Sequence, residues 1–256
     1  LELPETGPLT IALTDGVVTG GQVHGTAKAV PWSRAAARLV LAVRTADRLL
    51  ITAIEPTELT VADGHNLAGE PRADIEFSLP AAEFTPVSAE LADELTRRGA
   101  WARCVQCIGA LDAAAELAVA HVGERVQFGR PLSGFQAVQH ALAALAGEIE
   151  RGRAATELAV AAAADHGFAD HRTDHAVTVA KVTMGRVVPA VVAVAHQLHG
   201  AIGVTIEHPL WSVTNRARSW IDEFGSTGHY ARRLGRLTLA HGAEAGGLWD
   251  VLTAGP

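Results

Sequence analysis

Between two long helical patterns lies the stretch Glu124-Arg125-Val126-Gln127-Phe128-Gly129-Arg130-Pro131-Leu132-Ser133-Gly134-Phe135-Gln136-Ala137-Val138-Gln139-His140, which mixes cations, amides and glycines. Gly129-Arg130-Pro131 and Ser133-Gly134 are turn signals, because glycine permits left-handed backbone and proline stops one helix without preventing the next. Backbone amides exposed in such a corner, with Arg125 and Arg130 beside them, suit an anionic group such as a phosphate or pyrophosphate. By composition alone the same residues also make an ordinary solvated loop between helices.

Other reactive side chains are sparse. Cys104 and Cys107 are the only cysteines. Their C-x-x-C lies inside a helical pattern, without the preceding strand of a redox motif or the second pair of a zinc site, so packing on a helix face is the reading. His171 and His175 stand four apart around Asp174, but no third ligand follows at metal spacing, and a polar helix start accounts for them. Asp112, Glu116 and Glu124 read as a solvated face. No metal is expected.

The elements that must position these residues change character along the chain. From residue 1 to about 85 the text is strand-like: Leu9 to Leu13, Val17 to Val23, Leu39 to Val43, Leu49 to Ile54 and the alternating Asp74 to Leu79. Asp15-Gly16 signals a hairpin and Asp63-Gly64 another turn. Pro80 to Pro86 reads as a linker. Residues 86–256 are helical: Trp101, Cys104, Ile108, Leu111, Ala115, Ala118 and Val122 step by threes and fours along one apolar stripe. A second helix starts at Val138, Leu142, Leu145 and Ile149 and breaks at Asp165-His166-Gly167. A third, from Asp174 to His199, is apolar nearly all round and should be kinked by Pro189. Two shorter helices follow, about Pro209 to Asp222 and about His229 to Trp249. The expected fold is α+β: a small antiparallel β-domain, then an all-α up-and-down bundle.

At 256 residues the chain has room for a proper core without staples. A net charge of -7 excludes a global basic field for nucleic acid. No apolar run approaches the roughly 20 residues of a membrane span and no leader pattern opens the chain, so no membrane is expected and cytoplasm is the default. Residue 1 is Leu and the only methionine is Met184, which points to a processed chain or a piece of a longer one.

The central stretch closely resembles the Arg-x-Gln-Phe-Gly-(Arg/Lys)-Pro-(x)3-Phe-Gln-x-Val segment of acyl-CoA dehydrogenases. Gln197-Leu198-His199-Gly200-Ala201-Ile202-Gly203-Val204-Thr205-Ile206-Glu207-His208-Pro209 is similar to that family's Gln-x-His-Gly-Gly-x-Gly-(Phe/Val)-Thr signature. The two lie in the expected order, with a helical hairpin between them. Gly25-Thr26-Ala27-Lys28-Ala29-Val30-Pro31-Trp32 is similar to a segment lying near the flavin ring, where Trp32 is either a ligand contact or a packed aromatic.

The resemblance implies noncovalent FAD and oxidation of an acyl-CoA thioester to its trans-2-enoyl form, electrons passing on to an electron-accepting flavoprotein. It also implies that Arg125 and Gln127 reach the FAD pyrophosphate across a subunit interface, with Phe128 beside the cofactor. Gln197, Gly200 and Ala201 would meet the adenosine end, and Ser226 a flavin-contacting position. Gln136 is a further candidate. Ala201 replaces a usual glycine, which would narrow that approach. At the usual catalytic glutamate stands Phe224, which takes no proton, so Glu223 is the candidate base. The family's other base position falls near Gly99 and Ala100, again without a carboxylate. Arg97, Arg98 and Arg103 are candidates for a CoA phosphate but read more simply as solvated arginines.

Members usually begin with a helical domain not contained in residues 1–256, absent either naturally or only from this stretch of chain, and some work as two unlike subunits in an α2β2 assembly, including ones acting in steroid catabolism. The resemblance thus implies a short subunit of such a heterotetramer, or a homo-oligomer. Two alternatives stand beside catalysis by this chain: a non-catalytic FAD-binding or structural subunit, and another flavoenzyme on the same scaffold.

Overall fold

The computed structural model describes residues 6–242, which cluster into two compact units dividing between Thr96 and Arg97. The first holds one seven-stranded sheet: β1 (Leu9–Thr19), β2 (Gln22–Pro31), β3 (Arg38–Arg44), β4 (Leu49–Ile54), β5 (Thr60–His65), β6 (Pro71–Pro80) and β7 (Thr85–Val87), in the order β5-β6-β2-β1-β3-β4-β7. Alternation sends Val23, Leu39, Leu41, Val43 and Ile75 into a core where each is fully buried.

Three local expectations are corrected here. The β1–β2 reversal falls at Gly20-Gly21, both at positive φ (59 and 77°), rather than at Asp15-Gly16. Gly16 instead pairs with Gly25 inside the ladder, where a Cβ would come within 2.4 Å of Val43 and 2.8 Å of the His24 carbonyl. Asp63 and Gly64 likewise belong to β5, opposite Ala73 and Arg72. The Pro80–Pro86 segment is structured: β6 runs to Pro80, and Thr85–Pro86 pair with β4.

One strand pair also departs from the antiparallel expectation. After β2, a 3₁₀ turn at Ser33–Ala35 brings the chain back to the start of β1, where Ala37 N–H donates to Pro8 O at 2.7 Å. β3 therefore runs parallel to β1, Leu9 to Asp15 opposite Arg38 to Arg44.

The helices are α1 (Glu90–Glu124), α2 (Gln136–His166), α3 (His171–His199), α4 (Pro209–Asp222) and α5 (Thr227–Gly242); the expected continuation to Trp249 lies outside the described residues. The apolar stripe on α1 faces inward, with Cys104, Leu111, Ala118 and Val122 at 0–1% exposure. α3 is the centre of the bundle: Ala180, Met184, Val187, Val191, Val192 and Ala195 are buried on several sides, and helix continues on both sides of Pro189. Small residues bring axes close, since a Cβ on Gly152 of α2 would meet Met184 Sδ at 2.7 Å. α1 and α3 do have the length and apolar composition to cross a membrane, contrary to the reading of short runs, but packing into the core explains that composition.

Start and stop signals act where they stand. Asp170 caps α3, its carboxylate accepting from Arg172 N–H at 2.8 Å, and Gly167 ends α2 at φ 73°.

Candidate functional site

α1 ends at Glu124 and hands the chain to a two-residue hairpin, β8 (Val126–Gln127) against β9 (Arg130–Pro131). Its turn is Phe128-Gly129, with φ of 53 and 81°. Two successive positive φ values match a type I′ turn, easy for glycine but costing a bulky residue about 1–3 kcal/mol. Phe128 is nevertheless 88% exposed, touching Phe135 edge-on at 6.1 Å. A phenylalanine held in this way presents its ring to whatever binds at the corner. Arg130 lies over Phe135 at 4.1 Å, whereas the exposed Arg125 side chain has no hydrogen bond or ion pair among the described residues. Gln127 and Gln136 are exposed beside them.

The second motif arrives at the same end of the bundle. His121, in the last turn of α1, stacks on His199, the last residue of α3, at 4.6 Å. That contact sets Arg125 and the hairpin near Gln197, Gly200 and Ala201. Gln197 is exposed; Gly200 turns at φ 65°, with nothing within 4 Å of where a Cβ would stand. Ala201 is not among the positive-φ positions, so replacing glycine there brings no backbone strain. A guanidinium, three amide side chains, an open glycine and a bare aromatic ring make a donor set that fits a pyrophosphate flanked by ring systems.

Glu223, Phe224 and Ser226 lie elsewhere. From Gly99 to Glu124 along α1 is roughly 38 Å at 1.5 Å per residue. The Phe224 ring packs on Gly99, so closely that a Cβ there would sit 2.4 Å from it. The two base positions implied by the resemblance thus face each other in one chain, with an aromatic ring filling the gap. Glu223 is next door, its carboxylate 2.5 Å from the Arg103 guanidinium. Ser226 Oγ accepts from His229 N–H at 3.3 Å as a cap of α5.

This turn is fixed from inside by residues the sequence did not single out. Lys181 is fully buried in α3, and its ammonium donates to Glu223 O at 2.9 Å and to Ile221 O, closing the C-terminal end of α4. Tyr230 Oη donates to the carbonyl of Phe224 at 3.0 Å, and Phe224 sits at φ 56°. Burial lowers the Lys181 pKa and pushes that of Tyr230 up to about 12. A single lysine amid the apolar run of α3 was the available signal.

The arginines expected in solvent are engaged instead. Arg97, 13% exposed, pairs with Asp174 at 2.9 Å, Asp174 also taking Arg233. Arg98 lies over Phe168 at 4.4 Å, and Arg103 holds Glu223. Cys104 and Cys107 are buried side by side in α1, and burial pushes both thiols up to about 12, far from the thiolate chemistry of a redox pair. His171 is 89% exposed in the first turn of α3. In the other unit, Trp32 is 51% exposed at φ 52°, its N–H donating to Pro71 O at 3.2 Å.

The family profile described as acyl-CoA dehydrogenase, C-terminal domain, matches residues 90–227, more than half of the chain. The chain belongs to the acyl-CoA dehydrogenase family. Acyl-CoA dehydrogenase IpdE2 of Mycolicibacterium smegmatis is 28% identical over 185 residues, covering 69% of this chain; the chain spans 57% of that relative's length. The crystal structure of the ChsE4-ChsE5 complex from Mycobacterium tuberculosis shares the fold, with a TM-score of 0.79 at 21% identity over 91% of this chain and 66% of that one. So does a glutaryl-CoA dehydrogenase from Mycobacterium smegmatis in complex with FADH2, with a TM-score of 0.75 at 17% identity over 97% of this chain and 66% of that one. Acyl-CoA dehydrogenases bind FAD, and the donor set around Arg125 suits that cofactor.

Proposed function

We propose that this chain is one subunit of an FAD-dependent acyl-CoA dehydrogenase assembly, contributing cofactor-binding groups while an unlike partner subunit supplies the carboxylate base. The observation that carries this reading is the Phe224 ring on Gly99, which fills both base positions implied by the family resemblance without a carboxylate. The similar fold in the ChsE4-ChsE5 complex from Mycobacterium tuberculosis supports an assembly of unlike chains.

In this reading Arg125 binds the pyrophosphate through charge-assisted hydrogen bonds, Gln127 and Gln136 donate beside it, and Phe128 covers an aromatic ring. Gln197 and Gly200, with Ala201, receive the adenosine end. The Ser226 hydroxyl, which accepts from His229, still has its own hydrogen to donate to a flavin. Bound FAD supplies the hydride acceptor for α,β-desaturation of an acyl-CoA thioester.

A second reading rests on the position of Glu223. One residue from Phe224, it would take the α-proton itself once Arg103 releases it. Glu223→Gln in the complete assembly separates the two: flavin bleaching by acyl-CoA should proceed at an unchanged rate, and its loss would transfer the base to this chain. Co-expression with an unlike acyl-CoA dehydrogenase subunit, followed by flavin counting, tests the assembly. Arg125→Ala should weaken flavin retention by about 1.5–3 kcal/mol. A monomeric chain that keeps its own FAD and oxidises an acyl-CoA unaided would defeat the proposal.

A further inference from the structure

Three imidazoles from three elements meet where α1 and α3 end. His121 stacks on His199 at 4.6 Å with the planes 22° apart, and His208 meets His199 edge-on at 4.9 Å. His199 is 5% exposed. Its Nδ1–H donates to Ala195 O at 2.8 Å, so Nε2 is left as a lone pair, buried without a partner among the described residues. His208 is the N-cap of α4, its Nδ1 accepting from Leu210 N–H at 3.2 Å. That bond requires an unprotonated Nδ1. The segment tied down by His199 and His208 is the Gly200–Val204 turn and its continuation, where Ile202, Val204 and Ile206 are 50–71% exposed.

We infer that the His121–His199–His208 cluster is a proton-operated latch that holds the 200–208 segment closed when neutral and releases it on acidification. A proton on His208 takes the acceptor from the α4 cap and puts a cation at a helix N-terminus, where the dipole opposes it. A proton on His121 sets a cation face to face with a buried ring. The other charges around the cluster are Glu124, which favours the cation on His121, and Arg125, which opposes it; His196, one turn before His199 on α3, feels both Arg218 and His199, and Glu207 adjoins His208 in sequence. Burial and the neighbouring imidazoles outweigh Glu124, so the His121 and His208 pKa values both lie below the usual 6.5. A histidine whose folded value is depressed contributes stability above its unfolded value and loses it as pH falls. The latch therefore weakens from about pH 6.5 downward.

The test is hydrogen–deuterium exchange on the chain, in whatever assembly it purifies, at pH 7.5 and 5.5 after correction for intrinsic rates. Amides of 200–210 should lose at least about tenfold protection at the lower pH while the centre of α2 keeps its own, an equilibrium shift of order one pKa unit. The double variant His121→Phe, His208→Asn keeps an aromatic stack and a good N-cap but removes two titrating rings, and should lose no protection over that range. An equal acid response in wild type and variant, or a wild-type segment equally protected at both values, would overturn the latch. Imidazole titration by NMR gives the independent reading: His121 or His208 titrating at or above 6.5 also overturns it.

Discussion

Phe224 concentrates the unusual features of this molecule in one residue. It stands where the family resemblance implies an acid, occupies left-handed backbone at φ 56°, and lays its ring on Gly99. Only glycine at 99 leaves that space. Gly99→Ala should therefore destabilise the protein by about 1–3 kcal/mol through overpacking, although alanine is the better helix former by up to about 1 kcal/mol. A melting temperature unchanged or raised by that substitution would show that Phe224 does not rest there. Phe224 stands out in the sequence through the family resemblance, but its ring contact is not legible there, because its partner lies more than a hundred positions earlier in the chain. Lys181 was legible only as an oddity, since its two carbonyl acceptors come from the end of another helix.

At the level of elements, the helices read well and the turns read poorly. Helical periodicity and end signals such as Asp165-His166-Gly167 act locally, so α2 stops where the sequence says it should. Asp15-Gly16 misleads because Gly16 serves close strand approach, and no local pattern separates that use from a hairpin. The parallel β1–β3 pair depends on where the chain goes after β2. The candidate cofactor residues come from motifs, whereas the packing of Thr227, beside Ser226, on Gly185 halfway along α3 is visible only in the fold. Asp174 joins three helices by accepting from Arg97 of α1 and Arg233 of α5. Asp174→Asn leaves two guanidinium groups facing each other and should cost roughly 3 kcal/mol, as for a partly buried pair broken on one side. Urea denaturation checks it; a midpoint within error of wild type would reduce Asp174 to a surface pair.

For the whole molecule, the apolar groups left bare at one end matter most. Val126, Phe128, Ile202, Val204 and Ile206 are each at least half exposed there. Light scattering on the chain with the proposed unlike partner should show a complex, and Phe128→Ser should weaken it more than a substitution at the exposed Leu158 of α2. Equal weakening by the two would remove Phe128 from the interface. The bundle also carries its own clock. Cys104 and Cys107 lie at 0% exposure, with thiols near 12 and Cys107 Sγ bonded to Ala217 O at 3.6 Å. A thiol raised by folding favours the native state fully below its unfolded value of 9.0 and gives up that stability as pH climbs toward 12. Below that window a thiol-modifying reagent reaches neither sulfur until the bundle opens. Its labelling rate then counts how often the native protein comes apart, without denaturant and without any engineered probe.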